Sequence, residues 1–173
     1  FRVSLASPTV DLPDDSTWYS ESLYFAHFAL SDIEANEFHA YERYARPGPG
    51  LAGAQGSPYR VWLEDWSIVE TGKDSYRLQA AQDGIAIDLN LTDEKGVILH
   101  GENGYSRKGQ EVTNASYYYR QPRLRAEGTV RVQSGTYQVS GLAWKDHEFS
   151  TGVLDKGQIG WDWFSLQFDD GSA

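Results

Sequence analysis

The chain alternates apolar and polar residues with a period of two over most of its length, and turn-forming residues interrupt the alternation about every ten residues. In Ile85–Leu91, isoleucine and leucine occupy every second position, and the preceding Asp83-Gly84 pair is typical of a two-residue hairpin turn. About ten such strands can be counted. No stretch before Gly160 has clear helical apolar spacing. This pattern predicts an all-β sandwich or barrel.

The aromatic content favours the barrel. Phe, Trp and Tyr make up 14% of the 173 residues, many at alternate strand positions, and an up-and-down barrel of about eight strands can enclose one small ligand. Ser22–Leu30 is apolar on both faces, which predicts cover on both sides of that strand and places His27 in an apolar environment. We therefore predict that residues 1–173 form a single barrel domain and that its ligand is a hydrophobic small molecule.

The middle of the chain has one clear interruption. Pro47–Pro58 is rich in Gly and Pro without periodicity, which predicts a long loop at the mouth of a barrel. After it, Tyr59–Val69 resumes strand alternation, with Trp62, Glu64 and Trp66 on one face. We predict Trp62 and Trp66 as ligand-binding residues and Glu64 as a buried carboxylate between two indoles.

Charge and composition exclude several classes of function. A net charge of −10 disfavours nucleic acid and anionic membrane surfaces as partners, and no apolar run has the roughly 18 residues of a membrane span. With no cysteine, the chain has no disulfide and no Cys nucleophile, and it contains no Gly-x-Ser-x-Gly elbow. We therefore do not expect a Ser or Cys hydrolase. The arginine cluster is interpreted as a solvated strand face; it comprises Arg120, Arg123, Arg125 and Arg131.

The densest chemistry lies in Gly141–Phe168, predicted as the last strand pair. Strand parity places Trp144, Asp146 and Glu148 on one face, and Lys145, His147 and Phe149 on the other. A carboxyl group desolvated between aromatic rings keeps its proton more readily and can act as a general acid. We therefore predict three catalytic candidates, namely Asp146, Trp144 and Glu148.

A structural role for the same acidic cluster is the alternative, in which salt bridges tie this strand to Arg107 or Lys108. A metal site is not favoured, because no His-x-His spacing occurs and His147 faces away from the two acids. We expect neither a metal nor a cofactor.

Further aromatic residues are candidates for contact with a ligand, although each is also compatible with a place in the core. Trp161 and Trp163 share one face of a predicted strand, and consecutive phenols at 117–119 divide between two faces. The predicted ligand-binding residues in these regions are Trp161, Trp163, Tyr117, Tyr119 and His27.

Four motifs occur in the second half of the chain: WKDHEFS, GQIGWDWFSLQFDDG, SRKG at Ser106–Gly109 and NASYYY at Asn114–Tyr119. Together they resemble the AttH-like family, which shares a lipocalin-like fold with the carotenoid 1,2-hydratases. The resemblance implies an antiparallel up-and-down barrel, one of a tandem pair whose second barrel is a partner, and a periplasmic or secreted location. In the hydratase branch, the position resembling Asp146 is the proton donor, and a tyrosine precedes it by two positions where this chain has Trp144.

The beginning of the chain departs from the family pattern. The family continues from its first strand into Glu-Trp-Trp-Tyr, whereas this chain has Ser-Thr-Trp18-Tyr19. We therefore expect residues to be missing near 15–22. The chain begins at Phe1 and contains no Met, which predicts that its first residue is not that of the primary translation product.

Three functional hypotheses remain open from the sequence. The first is binding of a lipid or isoprenoid in an aromatic-lined barrel. The second is a hydratase or isomerase/cyclase that acts on a terpenoid-like substrate without a cofactor, with Asp146 as general acid. The third is a scaffold for the second barrel, with any site at their interface.

Overall fold

A computed structural model describes residues 2–5, 22–48, 50–110, 112, 114–150 and 157–173. These residues form twelve β-strands, and none of them is assigned to a helix. None of the described residues therefore belongs to a helix that could cross a lipid bilayer. Residues 15–21, which include Trp18 and most of the predicted gap, lie outside the described part of the chain.

The strands pair in two sheets. The first has the order β1-β2-β3, formed by Arg2–Leu5, Ser22–Asp32 and Glu37–Ala45. The second has nine strands in the order β10-β11-β8-β7-β6-β5-β4, and β9 and β12 also pair with β11. Its strands are β4 Ala52–Gly56, β5 Tyr59–Leu63, β6 Trp66–Gly72, β7 Ser75–Gln82, β8 Ile85–Asp93, β9 Ile98–Leu99, β10 Tyr105–Arg107, β11 Ala115–Val132 and β12 Gly135–Ser150.

Every strand pair whose register is described is antiparallel, which confirms the predicted all-β antiparallel class. The pairing described for these strands does not close them into one ring. The chain divides into two compact units, residues 1–90 with 128–139 and residues 91–127 with 140–173, with the divisions falling inside β8, β11 and β12. The prediction of a single domain over 1–173 stays a prediction.

In the first unit, short turns set the strand boundaries. Asp83 and Gly84 have φ values of 48° and 87° between β7 and β8, which confirms the predicted two-residue hairpin turn. A second turn, at Glu64-Asp65, interrupts the strand predicted over Tyr59–Val69, and Glu64 has a φ of 55° there. The interpretation of Glu64 as a buried carboxylate is wrong, because this turn exposes its side chain, which forms a 3.1 Å ion pair with Arg43.

The Gly/Pro-rich segment Pro47–Pro58, predicted as a long loop, contains strand β4. Its pairing with β5 places Gly53 opposite Trp62. A Cβ atom at Gly53 would lie closer to the indole ring of Trp62 than van der Waals contact permits. The missing side chain of Gly53 is what lets the indole lie over this strand, and the glycines at 53 and 56 hid the strand in the sequence.

The core of the first unit collects one face of several strands. Ala26, Phe28, Leu63, Trp66 and Ile85 are among its buried members. The Trp66 ring packs edge to face on Phe28 at 5.7 Å, and its indole N–H donates to the carbonyl of Ala81 at 2.9 Å. Large aromatic side chains buried in this way contribute about 3–5 kcal/mol relative to alanine.

The second unit contains the end of β8, all of β9 and β10, the first part of β11 and the last part of β12. The prediction of a strand pair over Gly141–Phe168 is only half correct, since β12 ends at Ser150 and no strand is assigned to residues 157–173. This last segment is attached by individual side chains instead. The Gln167 amide donates to the carbonyls of Pro122 and Ala143, and the Lys95 ammonium donates to the carbonyl of Gly171.

Candidate functional site

One face of β11 and β12 in the second unit brings together the acidic pair predicted from the sequence. Tyr118 on β11 donates its phenol hydrogen to Asp146 Oδ1 at 2.9 Å. On β12, the Trp144 indole N–H donates to Asp146 Oδ2 at 3.0 Å. The half-buried Asp146 carboxyl group therefore has each oxygen held by a donor on an aromatic side chain. We call this face, with its neighbours Glu148, Ser116 and Arg120, the Asp146 face.

Glu148 has a different environment on the Asp146 face. Its Oε1 accepts hydrogen bonds from Ser116 Oγ at 2.6 Å and from Lys108 Nζ at 2.7 Å. Burial acts to raise the pKa of Glu148, but these hydrogen bonds and the charge of Lys108 outweigh it and hold the pKa below its ordinary value. Glu148 thus matches the predicted salt bridge to Lys108, which leaves Asp146 as the better candidate for a working acid.

A stacked pair of rings lies beside Asp146. His100, just after β9, stacks on Tyr118 with ring centroids 4.0 Å apart and planes 7° from parallel. Burial lowers the pKa of His100, and the charge of Arg120 lowers it further, so the imidazole is neutral at neutral pH. Burial raises the pKa of the Tyr118 phenol; the hydrogen bond from Trp163 opposes this shift and the bond to Asp146 adds to it.

Of the two predicted tryptophans near the end of the chain, one reaches the Asp146 face. The Trp163 indole N–H donates to the Tyr118 hydroxyl at 3.4 Å, although 55% of Trp163 remains exposed. Trp161 is 68% exposed, and no contact with Asp146 or Tyr118 is described for it. Since residues 157–173 are not a strand, the parity argument that paired the two indoles does not apply to them.

Tyr117 and Tyr119, predicted as ligand-binding residues, lie on the opposite face of β11. The Tyr119 ring stacks on His147 at 4.9 Å, and the Tyr117 ring stacks on Phe149 at 5.5 Å. This separates both phenols from Asp146. Burial lowers the pKa of His147 on that face, and Lys145 lowers it further.

The sequence interpretation missed Tyr118, His100, Ser116 and Arg120 as members of the Asp146 face. Parity alone could not choose between the phenols at 117–119, because that choice depends on the pairing of β11 with its neighbours. The useful signal is in NASYYY itself: Ser116 and Tyr118 alternate as Asp146 and Glu148 do, and they contact those two acids.

The remaining predicted residues lie in the first unit. Trp66 is 1% exposed and belongs to the core, and Trp62 lies against Gly53 with the Arg60 guanidinium 4.4 Å from its ring. The prediction that His27 faces an apolar environment is wrong: its side chain is 63% exposed and lies 3.8 Å from Glu42, because Ala26 and Phe28 are the residues of β2 that face the core.

A cavity of about 410 Å³ also lies in the first unit, and none of the predicted site residues lines it. Its walls combine charged, hydroxyl and small side chains, including Asp65, Asp88, Arg131, Thr129 and Ala86. Within the described residues, no three His, Asp or Glu side chains are grouped as they would be around a metal ion.

The sequence matches the model of a known protein family. The AttH-like family model matches residues 1–173. The chain belongs to the AttH-like family. The crystal structure of an AttH candidate from Nitrosomonas europaea matches 90% of this chain, with 36% sequence identity and a TM-score of 0.80. The match confirms the lipocalin-like, all-β fold predicted from the motifs.

The chain covers less than half of each of two solved structures that it matches. This AttH-like chain covers only 49% of the Nitrosomonas protein, so it spans about half the length of that relative. The structure of kievitone hydratase from Nectria haematococca matches this chain with a TM-score of 0.57 and 15% sequence identity. The match covers 77% of this chain and 40% of the kievitone hydratase chain, and it shows a similar fold only. No curated protein sequence matches the chain.

Proposed function

We propose that this AttH-like chain binds a hydrophobic small molecule, a lipid or an isoprenoid, at the Asp146 face. The observation that carries the proposal is the Asp146 carboxyl group fixed between Tyr118 and Trp144. Two aromatic donors hold one acid in a defined orientation, and each donor also presents a ring surface. Such a combination of apolar surface and few oriented polar groups is typical of small-molecule sites.

The rings around Asp146 supply the apolar part of this site. The Trp144 indole donates a hydrogen bond to Asp146, and the Trp163 indole donates one to the Tyr118 hydroxyl. The His100 ring stacks on the Tyr118 ring. Trp163 leaves more than half of its surface exposed, so an apolar molecule can bury additional indole surface when it binds.

Native mass spectrometry of the full-length protein, purified gently from its own host, tests the proposal. We expect a co-purified apolar molecule that is lost or reduced when Trp163 is replaced by Phe. Trp161→Phe is the matched control, since Trp161 lies in the same segment, is 68% exposed and has no described contact with Tyr118. A wild-type protein that carries no small molecule, and takes up none when lipids and isoprenoids are added, would contradict it.

A second candidate function is a cofactor-independent hydratase or isomerase/cyclase at the same site. In hydration, protonated Asp146 gives its proton to one alkene carbon, and the adjacent carbon becomes a carbocation. The faces of Trp144 and Trp163 stabilise this cation. Water then adds to the cation and returns a proton to the carboxylate, so the net reaction is addition of water to the double bond. The hydrogen bonds that orient Asp146 favour this candidate, as does the fold shared with kievitone hydratase.

Asp146→Asn separates binding from catalysis. In an enzyme, this variant loses turnover while the affinity for the molecule stays nearly unchanged, because the amide keeps the shape of the carboxyl group. Turnover is followed as incorporation of heavy oxygen from labelled water into the co-purified molecule. If the wild-type protein incorporates none, or if Asp146→Asn incorporates as much as the wild type, the hydratase proposal fails.

We also propose that the full-length protein contains a second lipocalin-like barrel and is periplasmic or secreted. The length of the Nitrosomonas relative supports the additional domain, since this chain covers about half of it. Fractionation of host cells followed by immunoblotting tests both points. We expect a band well above the 19.4 kDa of this chain, in the periplasmic or secreted fraction. A band near that mass in the cytoplasmic fraction would contradict both.

A further inference from the structure

A buried ring nitrogen of His100 lies beside the Asp146 face. His100 Nε2 is shielded from solvent, and among the described residues nothing forms a hydrogen bond with it. Arg120 Nε, on the same face, is likewise buried and without a partner there. Buried polar atoms are normally paired, because leaving them unpaired costs free energy, and the exceptions concentrate where a ligand or a water completes the bonding.

The position of His100 ties this nitrogen to the proposed site. Its ring is parallel to Tyr118 at 4.0 Å, and the Tyr118 hydroxyl is the group that contacts both Asp146 and Trp163. A molecule that lies against Trp163 and Asp146 therefore also comes close to His100. The imidazole as a whole is half-buried, so part of its ring is exposed beside Tyr118.

The charges around His100 indicate what kind of group it would bind. Lys108 and Arg120 are the cations near the imidazole, and Asp146 and Glu148 are the carboxyl groups. Because the two positive and two negative groups balance, the site attracts neither an anionic nor a cationic group of a ligand. A neutral imidazole has one nitrogen that donates and one that accepts. A hydroxyl group, which does both, matches Nε2 whichever nitrogen carries the hydrogen.

We propose, building on the proposed binding function, that the molecule bound at the Asp146 face is an apolar compound bearing a hydroxyl group, and that His100 Nε2 forms a hydrogen bond with that hydroxyl. Arg120 Nε–H supplies a second donor on the same face. The natural ligand is then an oxygenated lipid or isoprenoid rather than a pure hydrocarbon. His100 is a specificity-determining residue, because it distinguishes two molecules of the same carbon skeleton.

The test compares farnesol, an isoprenoid alcohol, with the hydrocarbon in which hydrogen replaces its hydroxyl group. Affinities for the full-length protein are measured by quenching of tryptophan fluorescence, and the ratio of the two affinities is compared between proteins. His100→Phe keeps a ring that can stack on Tyr118 but removes both nitrogens. We expect it to lower the ratio of farnesol to hydrocarbon affinity by roughly two- to tenfold, as loss of one neutral hydrogen bond does.

His147→Phe is the matched control, since His147 also stacks on a tyrosine but lies on the opposite face of the strands. It should leave the ratio unchanged. His100→Leu carries the same prediction if His100→Phe does not fold, and unchanged affinity for the hydrocarbon shows that a variant is intact. An affinity ratio that stays at the wild-type value in the intact His100 variants overturns the inference and leaves the binding proposal standing. If the wild-type protein binds neither molecule, the proposed binding function itself fails, and the inference fails with it.

Discussion

At the scale of single residues, the two acids of the sequence Asp146-His147-Glu148 have different hydrogen-bond donors. Asp146 is held by neutral donors on aromatic side chains, Glu148 by a lysine and a serine, and His147 between them faces the other way. Adjacent positions on a strand point to opposite faces, so a run that looks like one cluster in the sequence becomes two separate environments.

Replacement of Tyr118 by Phe tests how firmly Asp146 is held. The variant removes the hydrogen bond to the carboxyl group and keeps the ring that stacks on His100. We expect the free energy of unfolding to fall by about 0.5–1.5 kcal/mol, as for the loss of one typical hydrogen bond. Urea denaturation measures it. Tyr117→Phe is the control and should change little, because Tyr117 lies on the opposite face and is 56% exposed. Equal effects of the two variants would argue against the prediction.

Glu148 predicts a dependence of stability on pH. Its pKa in the folded protein lies below the ordinary value of 4.5, so the folded state favours the ionised form. The resulting stabilisation is fully present above pH 4.5 and is lost as the pH falls through the lower, folded-state pKa. Glu148→Gln should therefore be less stable than the wild type at pH 7, and the difference should shrink in acid.

Urea denaturation at several pH values measures this difference in the free energy of unfolding. Glu34→Gln, in the exposed turn between β2 and β3, is the control and should show no such trend. A difference between Glu148→Gln and the wild type that is constant from neutral to acid pH would rule out Glu148 as its source.

At the scale of elements, the period-two pattern predicted strands reliably but their limits less well. The Asp83-Gly84 hairpin was predictable because Gly readily adopts positive φ. Glu64-Asp65 forms an equally tight turn without glycine, and its alternating neighbours disguised it as one continuous strand. Residues 157–173 alternate as a strand would, yet backbone pairing is a long-range property that alternation cannot supply.

Strand β4 offers a matched pair of glycines. Gly53→Ala places a methyl group against the Trp62 ring, whereas a methyl group at Gly56 meets nothing within 4 Å. We expect Gly53→Ala to lower the free energy of unfolding by about 1–3 kcal/mol through overpacking. Gly56→Ala should change it by less than about 0.5 kcal/mol, as surface substitutions usually do. Thermal denaturation of both variants measures the effect. Similar melting temperatures would show that the packing of the Trp62 ring does not require glycine at position 53.

At the scale of the whole molecule, the family and the all-β fold were predictable from the sequence, because several unusual motifs occur together and strand periodicity persists along the chain. The candidate site was predictable in part. Trp144, Asp146 and Glu148 were found through parity within one strand, while Tyr118 and His100 join them only through pairing between strands. The chain spans about half of its Nitrosomonas relative, so the complete protein is the right object for functional tests.

The most direct test of the central claim is to observe which tryptophans respond to an apolar ligand. The chain has six tryptophans, and their indole N–H signals can be followed by nuclear magnetic resonance as farnesol is added to the full-length protein. The proposed site predicts that the signals of Trp144 and Trp163 shift together and saturably, while those of Trp62 and Trp66 do not. Shifts at Trp62 or Trp66 with Trp144 and Trp163 unchanged would contradict a binding site at the Asp146 face.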